Sequence, residues 1–259
     1  MALSTLDGLV AAAPGQRKEI YKTPTTGVVA NWWSAWAAVG MPTAGAFALG
    51  NATTGVVPTK ATTGAIDFVN PSSGSSYLGR LDMALGQTGA ARLYDRLWHF
   101  GDWIPTTVAL AITPPALTRP DALGENVGLW LEIATATSAV ATFTATYTNQ
   151  AGTTGQTATL VTAGTTIGLM QQFNLASGDT GVRAVTNIVC SAVLTGTVNL
   201  ILARPVGTAA VLRQATPTGF DGISLGLPRI YNDACLALMV FLSSGSVTVF
   251  SGSFDIVQG

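Results

Sequence analysis

Charge is what this sequence lacks most. Only 10% of its 259 residues are Asp, Glu, Lys or Arg, whereas a typical soluble domain carries about a quarter. Its 12 basic and 13 acidic residues leave a formal net charge of −1, which is too little to bind nucleic acid through the release of counterions. Intrinsic disorder is excluded as well, because 48% of the residues are hydrophobic and the mean hydropathy is +0.42.

Long apolar runs are also missing. The longest strongly apolar run covers residues 235–242, far short of the roughly 18 residues that a membrane-spanning helix needs. Residues 1–10 contain no basic segment ahead of an apolar stretch, so we expect no secretory signal peptide. The sequence therefore predicts a folded, neutral chain that binds neither nucleic acid nor a membrane.

The residues that catalysis needs are scarce. His99 is the only histidine in the sequence, so any acid–base catalysis by histidine would depend on this single side chain. The Asp-Thr-Gly at Asp179 has no second copy, which an aspartic protease would need. Cys190 and Cys235 cannot complete a tetrahedral zinc site with one histidine. We expect buried free thiols, and a disulfide, which needs an oxidising compartment, is the alternative. We therefore predict no enzyme, no catalytic residue, no metal and no cofactor.

The distribution of the few charges favours assembly. No charged residue occurs in residues 23–59 or in residues 133–178. A net charge near zero promotes association, and obligate interfaces are depleted of charge at their core. We favour a protein whose normal state is assembled over a threonine-rich β protein without a partner.

Alternation of apolar and polar residues predicts the strands. Residues 141–148 alternate alanine and aromatic residues with four threonines, which is typical of a half-buried strand, and a turn at 149–152 follows. Further strands are predicted at 155–161, 127–133, 182–194, 197–204, 235–242 and 247–256. This order predicts an all-β fold, an antiparallel β-sandwich of the jelly-roll type.

The apolar residues in and beside segment 93–99 fit both the helical and the strand periodicity. Leu93, Leu97 and Phe100 would form a stripe on a helix, whereas a strand would alternate the same segment between two faces. We favour a strand, because Gly89 precedes the segment and Gly101 closes it.

The start of the chain predicts two short helices. Leucines that include Leu6 recur at helical spacing within residues 1–13. A second helix is predicted from apolar residues at i, i+3, i+4 and i+7, namely Val29, Trp32, Trp33 and Trp36.

Residues 45–76 are rich in Gly, Thr, Ser and Pro and show little periodicity, which indicates an extended arm or long loops. We therefore divide the chain into an extended N-terminal arm with short helices, residues 1–76, and a β-sandwich domain, residues 77–259.

Two aromatic clusters are candidates for contacts. Arg92 and Arg96 lie close to Trp98 and could stack on single-stranded nucleic acid, but Asp95 between them favours an internal ion pair or an interface contact. The tryptophans of the second predicted helix fit core packing or partner docking better than a sugar platform. The candidate partner-contact residues are Leu6, Trp32, Trp33, Trp36 and Phe47.

Four segments, in order, resemble a group of proteins encoded among the structural genes of tailed bacteriophages. The segments are residues 93–98, 147–152, 175–185 and 200–205, and the opening of the chain, residues 12–17 with the tryptophan segment, is similar as well. The resemblance covers about residues 77–205. It implies a virion component that is β-rich, multimeric and without enzymatic activity, and it carries over no catalytic residue.

Within a virion, a capsid cement or decoration protein is the first expectation. The low-charge arm would run over neighbouring capsid subunits while the sandwich projects outward. The expected partners are the major capsid protein and further copies of the chain, with a trimer as one candidate assembly formed in the host bacterial cytoplasm. The alternative is a tail, neck or fibre-type module that binds host-surface carbohydrate through Trp98 or Trp130, and an envelope hydrolase using His99 ranks last.

Overall fold

The computed structural model describes Gly8 and residues 15–23, 29–119, 124–243 and 249–259. The predicted helix at residues 1–13, with the candidate contact Leu6, lies outside the described residues except for Gly8. None of the four continuous described segments contains a helix, and no helix that could cross a membrane occurs in this part of the chain.

The second predicted helix is wrong, because Trp32–Ser34 is a β-strand. Trp33 pairs with Leu169 on one side and with Val240 on the other. The backbone therefore bridges two other strands, and these long-range hydrogen bonds override the local spacing. Both faces of the segment are covered, since Trp33 and Trp36 belong to different hydrophobic clusters. Because apolar residues are needed on both faces, their spacing along the sequence resembles that of an amphipathic helix.

Strands are the regular secondary structure of the four continuous described segments. In chain order they are β1 (Gln16–Lys22), β2 (Trp32–Ser34), β3 (Gly40–Met41), β4 (Ser76–Leu85), β5 (Gly89–Trp103), β6 (Leu110–Ala111), β7 (Gly128–Thr135), β8 (Thr142–Asn149), β9 (Gln156–Val161), β10 (Leu169–Gln172), β11 (Val182–Cys190), β12 (Thr197–Val211), β13 (Thr218–Asp221), β14 (Arg229–Ile230), β15 (Leu236–Leu242) and β16 (Phe250–Gln258).

The strands pair antiparallel in three groups. A six-stranded sheet has the order β13-β4-β16-β1-β3, with β14 also paired to β4. A closed barrel has the order β10-β2-β15-β5-β12-β7, and a four-stranded sheet has the order β6-β11-β8-β9. The all-β antiparallel prediction is confirmed, and residues 93–99 lie on β5 as a strand.

The barrel is the middle layer of the molecule. Leu131 and Phe100 of the barrel share one hydrophobic cluster with Phe143 of β8, so the four-stranded sheet packs on one face of the barrel. Leu93 shares another cluster with Phe254 of β16, so the six-stranded sheet packs on a different face. All six barrel strands contribute to a third cluster, which fills the barrel interior.

Two long strands connect these layers. β5 and β12 have 15 residues each, and they pair from Trp103 opposite Val198 to Gly89 opposite Val211. Three register shifts interrupt this ladder, and such bulges increase the local twist of a strand pair. One half of the pair therefore faces the four-stranded sheet, and the other half faces the six-stranded sheet.

Candidate functional site

The structure brings four of the five predicted partner-contact residues to the barrel. Trp33 and Trp36 are 4% and 1% exposed, and Trp32 packs against the interior cluster. Phe47 is half-buried, and its backbone carbonyl accepts a hydrogen bond from the His99 side chain. In this chain the tryptophans are thus covered by neighbouring strands of the same subunit, and their contact with a partner stays a prediction.

Trp98 and Trp130 are buried, so the expectation that a host carbohydrate contacts them as exposed aromatic side chains is wrong. Trp98 stacks on Phe100 with ring centroids 5.7 Å apart, and its indole N–H donates to the carbonyl of Thr54. Trp130 lies in the barrel interior cluster. Both rings therefore pack against other residues of the same chain.

A buried ion pair lies inside the barrel. Arg96 of β5 donates from Nη2 to Oε1 of Glu132 on β7 over 2.7 Å, and both side chains are 0% exposed. Asn199 of β12 donates to the other carboxylate oxygen at 2.8 Å. The Arg96 guanidinium also stacks over the Trp36 ring, 4.4 Å from its centroid. Three barrel strands are thus joined by charge-assisted hydrogen bonds in a region without solvent.

The same arginine fixes the protonation of His99. Arg96 Nη1 and His99 Nδ1 are 2.7 Å apart, and since a guanidinium only donates hydrogen bonds, Nδ1 must accept. The His99 proton therefore sits on Nε2, which donates to the carbonyl of Phe47 at 3.1 Å. Burial, with the charge of Arg96, holds the pKa of His99 well below its usual 6.5. The side chain is neutral and serves as a structural link.

A second ion pair lies on the opposite side of β5. Asp95 accepts hydrogen bonds from Arg119 at 3.1 Å and from the backbone N–H of Cys235 at 2.9 Å. Arg119 also donates to the carbonyl of Pro58. Asp95 was predicted to form an internal ion pair or an interface contact with the neighbouring arginines. It does form an internal ion pair, but the predicted partners are wrong, since Asp95 pairs with Arg119 and Arg96 pairs with Glu132.

These groups offer no chemistry to a substrate, since they are covered. Burial raises the pKa of the Cys235 thiol to about 12, so it is not a thiolate nucleophile at neutral pH. Cys190 and Cys235 are both free and buried, as predicted. In the described segments no three His, Cys, Asp or Glu side chains lie where they could share a metal ion. The interior network links strands, and candidate contacts must be sought on the surface.

Four loops without a charged residue lie together at one end of the molecule, namely residues 104–109, 136–141, 162–168 and 191–196. Backbone hydrogen bonds join these loops, from Leu194 to Pro105, from Ser138 to Thr195 and from Thr137 to Thr165. We call this surface the uncharged end.

Five aliphatic side chains are exposed at the uncharged end. The exposed fractions are 57% for Ile104, 74% for Val108, 56% for Val140, 46% for Ile167 and 70% for Val193. The adjoining outer face of the four-stranded sheet carries threonines in register, with Thr144 opposite Thr159 and Thr146 opposite Thr157. Arg183 is the only charged residue in the four strands of this sheet.

Comparisons with known proteins leave the family open. No protein-family model and no curated protein matches the chain. Among solved structures, the chain is similar to a chain in the structure of the infectious bursal disease virus Gt strain. The two chains are 11% identical, the match covers 95% of this chain and 82% of that chain, and the TM-score is 0.19. It is also similar to the VP2 subviral particle of the same virus, with 10% identity, the same coverage and a TM-score of 0.18. The likeness to these viral particle proteins is weak, and TM-scores this low carry no argument about fold or function.

Proposed function

We propose that the protein is a non-enzymatic structural component of a tailed-phage virion, a cement or decoration protein that binds across capsid subunits and associates with copies of itself. The proposal includes the jelly-roll arrangement of the strands, a trimer as one candidate assembly, and formation in the host bacterial cytoplasm. The uncharged end is the observation that carries it, together with the resemblance of four sequence segments to phage structural proteins.

The uncharged end has the composition of an interface core. Interface cores are depleted of charged residues, and clustered exposed aliphatic side chains on a soluble protein mark sites of interaction. Complete burial of a valine or isoleucine side chain contributes about 1.5–3 kcal/mol. Four such side chains, each more than half exposed, therefore gain several kcal/mol when a partner covers them, before the entropy of association is subtracted.

The threonine face suits contact with a copy of itself. A hydroxyl group both donates and accepts hydrogen bonds, so two identical faces can pair without unmatched charges, which a face of one charge sign cannot do. Pairing through strand edges is obstructed, because Thr159 of β9 exchanges two backbone hydrogen bonds with Asn174 and β6 has only two residues. Contact through side chains, and not an added strand, is therefore favoured.

The test is binding to purified shells of the phage that encodes the chain, prepared without this protein. We expect the wild-type protein to co-sediment with the shells at a copy number comparable to that of the major shell protein, and to raise the temperature at which the shells rupture. Val193→Glu places a charge in the middle of the uncharged end and should abolish co-sedimentation. Leu212→Glu is the matched control, because Leu212 is 79% exposed and lies outside the four loops.

Two results would contradict the proposal. One is a shell whose rupture temperature is the same with and without the bound protein. The other is a virion in which only a few copies are found, which would place the protein at the neck or tail. Circular dichroism of both variants checks that a loss of binding reflects the surface and not the fold.

A further inference from the structure

The outer face of the six-stranded sheet has the opposite character to the uncharged end. β1, β16, β4 and β13 lie side by side, and their register places outward side chains in rows. The first row is Arg17, Asp255, Arg80 and Asp221. Its charges alternate in sign, and the ion pair between Arg17 and Asp255 at 3.9 Å joins two neighbours.

The next rows change gradually from charged to apolar. The second row is Glu19, Ser253 and Asp82. The third row is Tyr21, Ser251 and Ala84, with Met41 opposite Tyr21 on the adjoining β3. The face is therefore amphipathic across its strands, with ion pairs along one side and an aromatic ring and a thioether along the other.

The two arginines of the first row, together with the second and third rows, line an open groove of about 620 Å³, within the range of about 300–1,000 Å³ that ligand sites occupy. Small residues on β16, Ser251 and Ser253, make the floor between longer side chains on β1 and β4. Tyr21 and Met41 at the apolar side are 47% and 54% exposed, so they offer free surface to a ligand.

The four charged residues that line the groove form two ion pairs. Arg17 donates to Glu19 at 2.9 Å, and Arg80 donates to Asp82 at 2.6 Å. Asp255 and Asp221 lie next to these arginines in the first row, so the groove gives an anionic ligand no net attraction. Each guanidinium nevertheless has five N–H donors and each carboxylate about four acceptor sites, so the paired groups retain hydrogen-bonding capacity for a neutral ligand.

We propose that this groove binds a neutral oligosaccharide. Such a ligand has C–H faces that pack on Tyr21 and Met41 and hydroxyl groups that bond to Glu19, Arg80 and Asp82, so it matches both sides of the groove. The inference goes beyond the proposed structural role. The six-stranded and four-stranded sheets pack on different faces of the barrel, so the groove stays open when the uncharged end is docked.

The test begins with an array of neutral and acidic oligosaccharides, followed by isothermal titration calorimetry with the neutral oligosaccharide that binds best. We expect Tyr21→Ala to weaken its binding by about tenfold or more, because the apolar wall is lost. Tyr21→Phe keeps the ring and should retain binding. Asp82→Asn should weaken binding, whereas Asp67→Asn, the same change at an exposed site outside the groove, should leave it unchanged.

The inference is overturned if no neutral oligosaccharide on the array binds, if only acidic glycans bind, or if Tyr21→Ala binds as the wild type does. Circular dichroism of each variant shows whether the fold is intact. Val193→Glu separates the two proposals, since it should lose binding to shells and keep binding to the oligosaccharide.

Discussion

Acidification should destabilise the protein through one side chain, His99. The folded chain holds His99 neutral between Arg96 and the carbonyl of Phe47, and its pKa lies well below 6.5. In the unfolded chain the same imidazole binds a proton near pH 6.5. Below that pH the imidazole is protonated in the unfolded state and neutral in the folded state. The free energy of unfolding therefore falls as the pH falls.

The slope sets the magnitude. A proton taken up only by the unfolded chain costs at most about 1.4 kcal/mol for each pH unit below 6.5, which sets an upper limit of about 2.7 kcal/mol at pH 4.5. Urea unfolding followed by tryptophan fluorescence, at pH 7.5, 6.5, 5.5 and 4.5, measures this loss. No other histidine is present, so no other side chain with an ordinary pKa titrates between pH 5.5 and 7.5.

His99→Gln is the matched variant, because its amide can accept from Arg96 and donate to Phe47 without titrating. Between pH 6.5 and 4.5 we expect the free energy of unfolding to fall less in the variant than in the wild type, by up to about 2.7 kcal/mol. Carboxylates titrate in both proteins and cancel in the difference. Equal pH slopes for the two proteins would refute the neutral, acceptor role assigned to His99.

Three further predictions follow from the buried groups. Glu132→Ala should lower the free energy of unfolding in urea by about 3–5 kcal/mol, because the buried Arg96 loses its counterion. The double variant Arg96→Met with Glu132→Leu should lower it by less, and a smaller effect of the single variant than of the double variant would contradict the role of the ion pair. Lys22 is buried and, within the described residues, donates to the backbone carbonyls of Ala38 and Pro42. Desolvation lowers its pKa to about 8. Between pH 8 and 10.5 the unfolded chain alone holds the Lys22 proton, so stability should rise with pH by less than about 1.4 kcal/mol per unit, and Lys22→Met should remove this rise. Cys190 and Cys235 are buried with raised pKa values, so a thiol-specific disulfide reagent at pH 8 should label neither in the native protein and both in urea; rapid native labelling would show that a thiol is accessible.

Local pattern predicted most of the long strands, because alternation reflects one buried and one exposed face. The threonine strand at residues 141–148 appears as β8 within one residue at each end, and the strand at residues 155–161 appears as β9. The barrel was not predictable in this way. Its closure depends on β2 and β10, which have three and four residues, too few to show a period, and on pairing between distant parts of the chain.

The buried network was only half predictable. Asp95 beside two arginines pointed to an ion pair, but Arg119 lies in no strand and shows no period that would bring it to Asp95. Glu132 gave a usable signal, since it is the only charge in an apolar strand and a buried carboxylate requires a counterion. The groove on the six-stranded sheet escaped sequence reasoning, because its rows join β1 near the start of the chain to β16 at the end.

The paired strands β5 and β12 determine how the subunit responds to force. Both outer sheets pack against this ladder of 15-residue strands, so a pull between the uncharged end and the groove on the six-stranded sheet is transmitted along two continuous strands. Separating the two ends would require many ladder hydrogen bonds to shear together. The folded protein should therefore be stiff, and its length should change little under tension.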